Sequence, residues 1–312
     1  MNEPTRARTP ADESLGQRLI AGVLRRVMRM TLDRTLRADL PFEEQRRRLL
    51  MGTRLTLPPR GVTFASGPCG GVAGEWVRSQ GHQQSALTIL YLHGGGYCTG
   101  SPVTHRAVTG HLARRCGGRV FAADYRLAPE HPFPAGLDDA VTAYRGLLAD
   151  GCAPRDIVVA GDSAGGGLTL AAALRLRELA LPLPRALVLL SPWVDLSLGR
   201  LPPERPPGEV MLSLPLLGLC ARSYAARTDV LHPLVSPLTA ELQGLPPTLV
   251  QVGLDELLLS DSQRLSARLE ASGVPVRLEE YARRWHVFQV NAGLLADADR
   301  AIDAVARFIR AA

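Results

Sequence analysis

Short apolar segments alternate with helix-type sequence along most of this chain, and this alternation limits its fold more than any other feature. Residues 86–96, 119–126, 156–161 and 185–193 contain continuous Val-, Ile- and Leu-rich runs of strand length. Helical patterns separate them, as in the Ala- and Leu-rich stretch 164–179. Strands that alternate with helices form right-handed crossovers, and strands without polar alternation are covered on both faces. The sequence therefore predicts an α/β fold, with a mainly parallel sheet flanked by helices.

Two segments fall outside this alternation. From Ser14, apolar residues recur at helical spacing among arginines, and a second short helix is expected over 41–51. Residues 1–50 are therefore predicted to be cap helices, and 51–312 a catalytic domain with a cap insertion at about 199–228. For the first helix, packing against the protein is favoured over contact with an anionic membrane, which stays the alternative.

Composition excludes several classes of function. The chain has 312 residues, a net charge of +6 and an isoelectric point near 9.4, but its basic residues are all arginines and mostly scattered. Aromatic residues are only 5%, so nucleic-acid binding is not indicated. The five cysteines form no Cys-x-x-Cys pair, which predicts free thiols, no metal site and a cytoplasmic location. No signal peptide or membrane span is expected, and homo-oligomer formation is left open.

Ser163 lies in the sequence Gly-Asp-Ser-Ala-Gly, between an apolar strand and a helix. A serine at such a junction commonly caps the helix and does nothing more. The pattern Gly-x-Ser-x-Gly in this context, however, indicates a nucleophile elbow, in which glycines at 161 and 165 permit a sharp turn. The turn would present the serine hydroxyl at a helix N-terminus, where negative charge is favoured.

A glycine-rich loop, His-Gly-Gly-Gly at 93–96, follows an earlier buried strand. Glycines allow backbone amides to approach a ligand closely. We expect Gly94 and Gly95, together with the amide of Ala164, to form an oxyanion hole. A phosphate cradle is the rival interpretation, but no lysine follows at the required spacing.

A base and its orienting acid should follow the serine in the order Ser, acid, His. His286 comes just after the last predicted strand and fits that order, whereas His232 precedes the candidate acids. Asp255 is the first acidic residue after the preceding strand and is chosen as the acid. Glu256 is the alternative, and Asp261 is expected to cap the next helix.

The chain resembles the hormone-sensitive-lipase-like serine esterases (bacterial lipolytic family IV) of the α/β-hydrolase fold. The matching stretches run in family order from about 86 to 288: YLHGGGYCTGS, DYRLAPEHPFPAGLDDA, GDSAGG, LLSPWVDLS, PLVSPL, LPPTLVQVG, DELLLSD and WHVFQ. The resemblance implies a serine carboxylesterase that acts on short- to medium-chain acyl esters, with an N-terminal cap and no cofactor. It also implies Ser163, Asp255 and His286 as the catalytic triad.

Two alternatives remain open from the sequence. A lactone hydrolase or an amidase would use the same triad, because only the leaving group differs. A small-ligand receptor on the same fold is the alternative of another class. The gibberellin receptor resembles these enzymes but lacks the catalytic histidine, so His286 favours an enzyme.

Overall fold

The computed structural model describes residues 13–52, 56–81 and 85–312. Within these ranges, eight strands form one sheet and eight α-helices surround it. The strands are β1 Val62–Ser66, β2 Gly74–Ser79, β3 Thr88–Leu92, β4 Arg119–Ala123, β5 Ile157–Asp162, β6 Ala186–Leu190, β7 Thr248–Gly253 and β8 Val276–Tyr281. The helices are α1 Leu15–Thr35, α2 Phe42–Gly52, α3 Arg106–Cys116, α4 Ala135–Ala149, α5 Ala164–Glu178, α6 Leu214–Ala225, α7 Leu259–Ala271 and α8 Ala296–Ala311.

The strand order is β1-β2-β4-β3-β5-β6-β7-β8. Strand β2 pairs antiparallel with both of its neighbours, β1 and β4, and all other neighbouring strands pair parallel. Strands β3, β5, β6 and β7 are buried at every position, whereas β1 at the edge is half exposed. Full burial explains why these strands carry no polar alternation. The predicted α/β-hydrolase fold, with its mainly parallel sheet, is confirmed.

Two apolar cores lie on opposite faces of the sheet, and residues of one strand alternate between them. In β3, Ile89 and Tyr91 pack on one side and Leu90 and Leu92 on the other. Helices α3 and α8 cover the first face, and α4, α5 and α7 cover the second. The period of two along a strand thus assigns each side chain to a layer.

Carboxyl ends of parallel strands meet at one edge of a sheet, where ligands bind in open α/β folds. The glycine loop follows β3, Ser163 follows β5, the acidic pair follows β7 and His286 follows β8. The topology therefore collects all the sequence-predicted site residues at one edge.

Helices α1 and α2 belong to the segment predicted as a cap, of which residues 1–12 lie outside the described range. Helix α6 falls within the predicted insertion at about 199–228. The division into cap and catalytic domain stays a prediction. Among the described residues, no helix has both the length and the apolar character needed to cross a bilayer.

Candidate active site

Ser163 occupies a tight turn between β5 and α5, with φ 51° and ψ −122°. A non-glycine residue at positive φ is strained and persists only where its surroundings enforce it. Here the Ser163 amide donates to Leu190 O at 2.9 Å, and its carbonyl accepts from the Trp193 amide at 2.9 Å. The neighbouring strand end thus holds the serine in the elbow conformation that the sequence predicts.

The two flanking glycines are required by close backbone packing. A Cβ at Gly161 would lie 2.3 Å from the carbonyl oxygen of Gly165, and a Cβ at Gly165 would lie 2.0 Å from Leu92 O. Both distances are far below van der Waals contact. The Gly-x-Ser-x-Gly pattern therefore reflects the crossing of β5 and α5 over the end of β3.

His286 is paired with Glu256. Nδ1 of His286 lies 2.9 Å from Glu256 Oε1, and both side chains are fully buried. The other oxygen, Oε2, accepts hydrogen bonds from the Ser191 hydroxyl at 2.8 Å and from the Gly253 amide at 2.9 Å. The Ser191 hydroxyl in turn accepts from the Val287 amide at 3.2 Å. Glu256 is thus fixed from behind while it faces the imidazole.

This arrangement makes the imidazole of His286 easier to protonate than usual. Burial disfavours the imidazolium form, but the Glu256 carboxylate outweighs burial, and the pKa of His286 lies above its ordinary value. The second nitrogen, Nε2, is buried and has no hydrogen-bond partner among the described residues. One nitrogen is therefore held by an acid and the other is available for a reaction.

The prediction that Asp255 orients His286 is wrong. The Asp255 carboxylate is partly exposed and binds Arg25 of α1 at 2.8 Å. After Gly253 ends β7, the chain turns so that Glu256 folds back on the strand end, and Asp255 points the opposite way, towards α1. The weaker alternative from the sequence, Glu256, occupies the position.

The glycine loop also differs from expectation at one residue. The Gly94 amide donates to Asp162 Oδ1 at 3.0 Å, so it is not free to bind an oxyanion, and the prediction for Gly94 is wrong. The amides of Gly95, Gly96 and Ala164 have no acceptor within the part of the chain that the structure describes. The expectation named Gly94 and Gly95 and left out Gly96, the third glycine of the motif.

Asp162 connects the loop to the elbow, and sequence reasoning also missed this residue. Besides the Gly94 amide, Oδ1 accepts the Tyr91 hydroxyl at 2.6 Å, and Oδ2 lies 3.3 Å from His105 Nε2. Burial opposes ionisation of this carboxylate, but His105 and the hydrogen bonds prevail, and the pKa of Asp162 is lowered. Burial likewise opposes charge on His105, yet Asp162 raises its pKa overall. Asp162, the residue before Ser163, thus forms a buried pair with His105 in which each partner favours the charged form of the other.

A cavity of about 570 Å³ opens in front of the serine. On the sheet side, the cavity is bordered by Ser163, the Gly94–Gly96 loop and Val287. Helices α1, α2 and α6 provide much of the remaining wall, and their apolar side chains there are Leu24, Val27, Met28, Met30, Leu32, Leu49, Met51, Leu216, Leu217 and Cys220. Such a space suits an apolar ligand group next to a few convergent polar groups. No cluster that could hold a metal ion occurs among the residues with described positions.

Comparison with known proteins places this site in a family. Residues 89–290 match the α/β hydrolase fold family. The chain is 43% identical to an acetyl-hydrolase of Streptomyces hygroscopicus over 83% of this chain and 85% of that protein. It is 38% identical to an esterase of Acinetobacter venetianus over 76% and 78% of the two chains. A solved esterase of the bacterial hormone-sensitive lipase family superposes with a TM-score of 0.85 at 37% identity, over 96% of this chain and 98% of that one.

The chain belongs to the α/β-hydrolase family. Within it, the chain is a hormone-sensitive-lipase-like esterase, a carboxylic ester hydrolase. The resemblance stated from the sequence motifs is confirmed.

Proposed function

We propose that this hydrolase cleaves short- to medium-chain acyl esters through an acyl-enzyme intermediate on Ser163. The Ser163 hydroxyl attacks the ester carbonyl while Nε2 of His286 takes its proton. Glu256 accepts the Nδ1 proton of His286 in a hydrogen bond and stabilises the imidazolium. The imidazolium then protonates the leaving alcohol, and water releases the acid by the reverse proton transfers.

The oxyanion of each tetrahedral intermediate would be bound by the amides of Gly95, Gly96 and Ala164. All three lack a protein acceptor among the described residues, and both glycines border the cavity beside Ser163. The Ala164 amide also lies at the N-terminus of α5, where the helix dipole favours negative charge. Preorganised donors of this kind commonly contribute the largest share of such catalysis.

One observation carries the proposal: a buried imidazole with one nitrogen held by a carboxylate and the other unpartnered, at the sheet edge where Ser163 sits in a strained elbow. His93 and His111 also have buried ring nitrogens without a partner among the described residues, but neither ring is hydrogen-bonded to a carboxylate. The same feature weighs against the receptor alternative, because a binding protein has no use for an acid-oriented base.

The cavity supports the substrate class. We propose that α1, α2 and α6 form a cap and that their apolar side chains receive the acyl chain. A space of about 570 Å³ holds a short to medium chain together with a small alcohol group. The acetyl-hydrolase name of the Streptomyces relative also supports a short acyl group.

Kinetics on a series of p-nitrophenyl esters, from acetate to laurate, tests the proposal. We expect butyrate to be cleaved with a higher kcat/KM than laurate, and Ser163→Ala to lower kcat about 10⁴-fold or more. The matched control, Ser260→Ala, removes a half-buried serine whose hydroxyl bonds only Arg200 O and should leave kcat unchanged. A lactone or an anilide that is cleaved faster than the butyrate ester would overturn the substrate class.

A further inference from the structure

Helix α1 has two apolar faces. The inner face packs on the protein: Ala21 is buried, and Leu24 and Met28 contact the core on the α3–α8 side of the sheet. The outer face is open to solvent and comprises Leu15, Leu19, Ile20, Val23, Val27 and Met30. Leu15 and Leu19 are 77% and 71% exposed. Packing against the protein therefore accounts for the inner face of α1 but not for the outer face. Exposed apolar side chains in a contiguous stripe mark an interaction surface.

The outer face is continuous with the cavity in front of Ser163. Val27 and Met30 are exposed and also line that cavity, as does Met51 of α2. These residues form the rim of the cavity. A partner that covers the outer face of α1 therefore also lies over the rim of the cavity in front of Ser163.

The charge of α1 indicates the chemistry of the occupant. The helix carries five arginines and one aspartate. Arg25 is bound to Asp255, and Arg29 pairs with Asp33. Arg18 and Arg26 are exposed, and no described carboxylate pairs with either. A helix with an apolar stripe and cationic side chains fits an anionic lipid surface, whereas two copies would bring like charges together.

We propose that the outer face of α1 docks this protein on anionic lipid bilayers. The apolar side chains enter the acyl boundary, Arg18 and Arg26 contact phosphate headgroups, and the rim of the cavity faces the lipid. Binding of this kind needs no catalysis, so it stands apart from the proposed hydrolytic mechanism.

Vesicle flotation of the full chain tests the proposal with Ser163→Ala as the background, which prevents turnover. We expect flotation with vesicles of equal parts phosphatidylglycerol and phosphatidylcholine, and little with phosphatidylcholine alone. The variant Leu19→Ser/Val23→Ser should weaken binding about tenfold or more, and Arg26→Gln about fivefold. Raising the salt concentration should weaken it further.

The control is Leu179→Ser, which removes an exposed leucine (44%) at the end of α5, away from this face. It should float like the parent. Leu19→Ser/Val23→Ser in the active protein should retain its kcat/KM on soluble p-nitrophenyl butyrate, which shows that the fold is intact. Absence of flotation, or equal effects of the α1 and Leu179 variants, would overturn the proposal. A dimer in light scattering that Leu19→Ser/Val23→Ser abolishes would assign the face to a second copy instead.

Discussion

Replacement of Glu256 by glutamine changes one atom, and the structure dictates how the new amide is oriented. Oε2 receives hydrogen bonds from the Gly253 amide and the Ser191 hydroxyl. Both donors require an acceptor at that position, so the glutamine carbonyl oxygen takes it. The amide NH₂ then occupies the position of Oε1, 2.9 Å from Nδ1 of His286.

An NH₂ group can only donate to that nitrogen, so Nδ1 becomes an acceptor and the ring proton moves to Nε2. The imidazole then cannot take the proton from Ser163. Loss of the acid in a triad by such an isosteric change, with the wrong tautomer as its consequence, costs up to about 10⁴-fold in kcat. We expect Glu256→Gln to lower kcat by about 10²- to 10⁴-fold, with KM for p-nitrophenyl butyrate changed much less.

Asp255→Asn is the matched control, since it makes the same chemical change one residue earlier. It removes the charge that holds Arg25, but both partners are about one third exposed, and such ion pairs contribute little to stability. Steady-state kinetics should show at most about a twofold loss for this variant. A greater loss of kcat in Asp255→Asn than in Glu256→Gln would mean that Glu256 is not the acid that orients His286.

Three further predictions concern the same site. The acidic limb of kcat/KM against pH reports the ionisation of His286. Because the pKa of His286 is raised, this limb should lie above about pH 6.5. It should move to lower pH in Glu256→Gln, and a limb that does not move would contradict the pairing of His286 with Glu256. Asp162→Asn should lower kcat about 10-fold or more, since the carboxylate holds the glycine loop. The loss of Tm in Asp162→Asn should be largest at about pH 5 to 6. The pKa of His105 is raised and that of Asp162 lowered, so their pair stabilises the fold below the ordinary pKa of histidine, and this contribution fades as pH rises through the pKa of His105. A loss of Tm in Asp162→Asn that increases above neutral pH would contradict this pairing. Gly165→Ala places a Cβ 2.0 Å from Leu92 O and should cost about 3 kcal/mol or more in thermal unfolding; an unchanged Tm would show that the backbone yields.

Positions at which the fold itself demands one residue type are predictable from the sequence. The Gly-x-Ser-x-Gly pattern between a strand and a helix predicts the elbow at Ser163, because two backbones cross at Gly161 and Gly165. His286 follows β8, as the chain order requires. The strands and their parallel pairing follow from their apolar runs.

The errors at Asp255 and Gly94 share a physical cause: both depend on directions that neighbouring groups set. Asp255 and Glu256 are adjacent after β7, and only the turn, with the Gly253 amide bound to Glu256, decides which faces the imidazole. Gly94 and Gly95 look alike in sequence, and the Asp162 carboxylate, 68 residues along the chain, occupies the amide of the first. Contacts between distant segments cannot be read from spacing.

The proposed mechanism requires Ser163, His286 and Glu256 to act together in front of the amides of Gly95, Gly96 and Ala164. A crystal structure of the protein after reaction with a p-nitrophenyl phosphonate tests this arrangement. We expect phosphorus on the Ser163 hydroxyl oxygen, with one phosphonate oxygen about 3 Å from those amides and His286 still bonded to Glu256. An adduct on another residue, or a phosphonate oxygen bound by the Gly94 amide with Asp162 displaced, would contradict it.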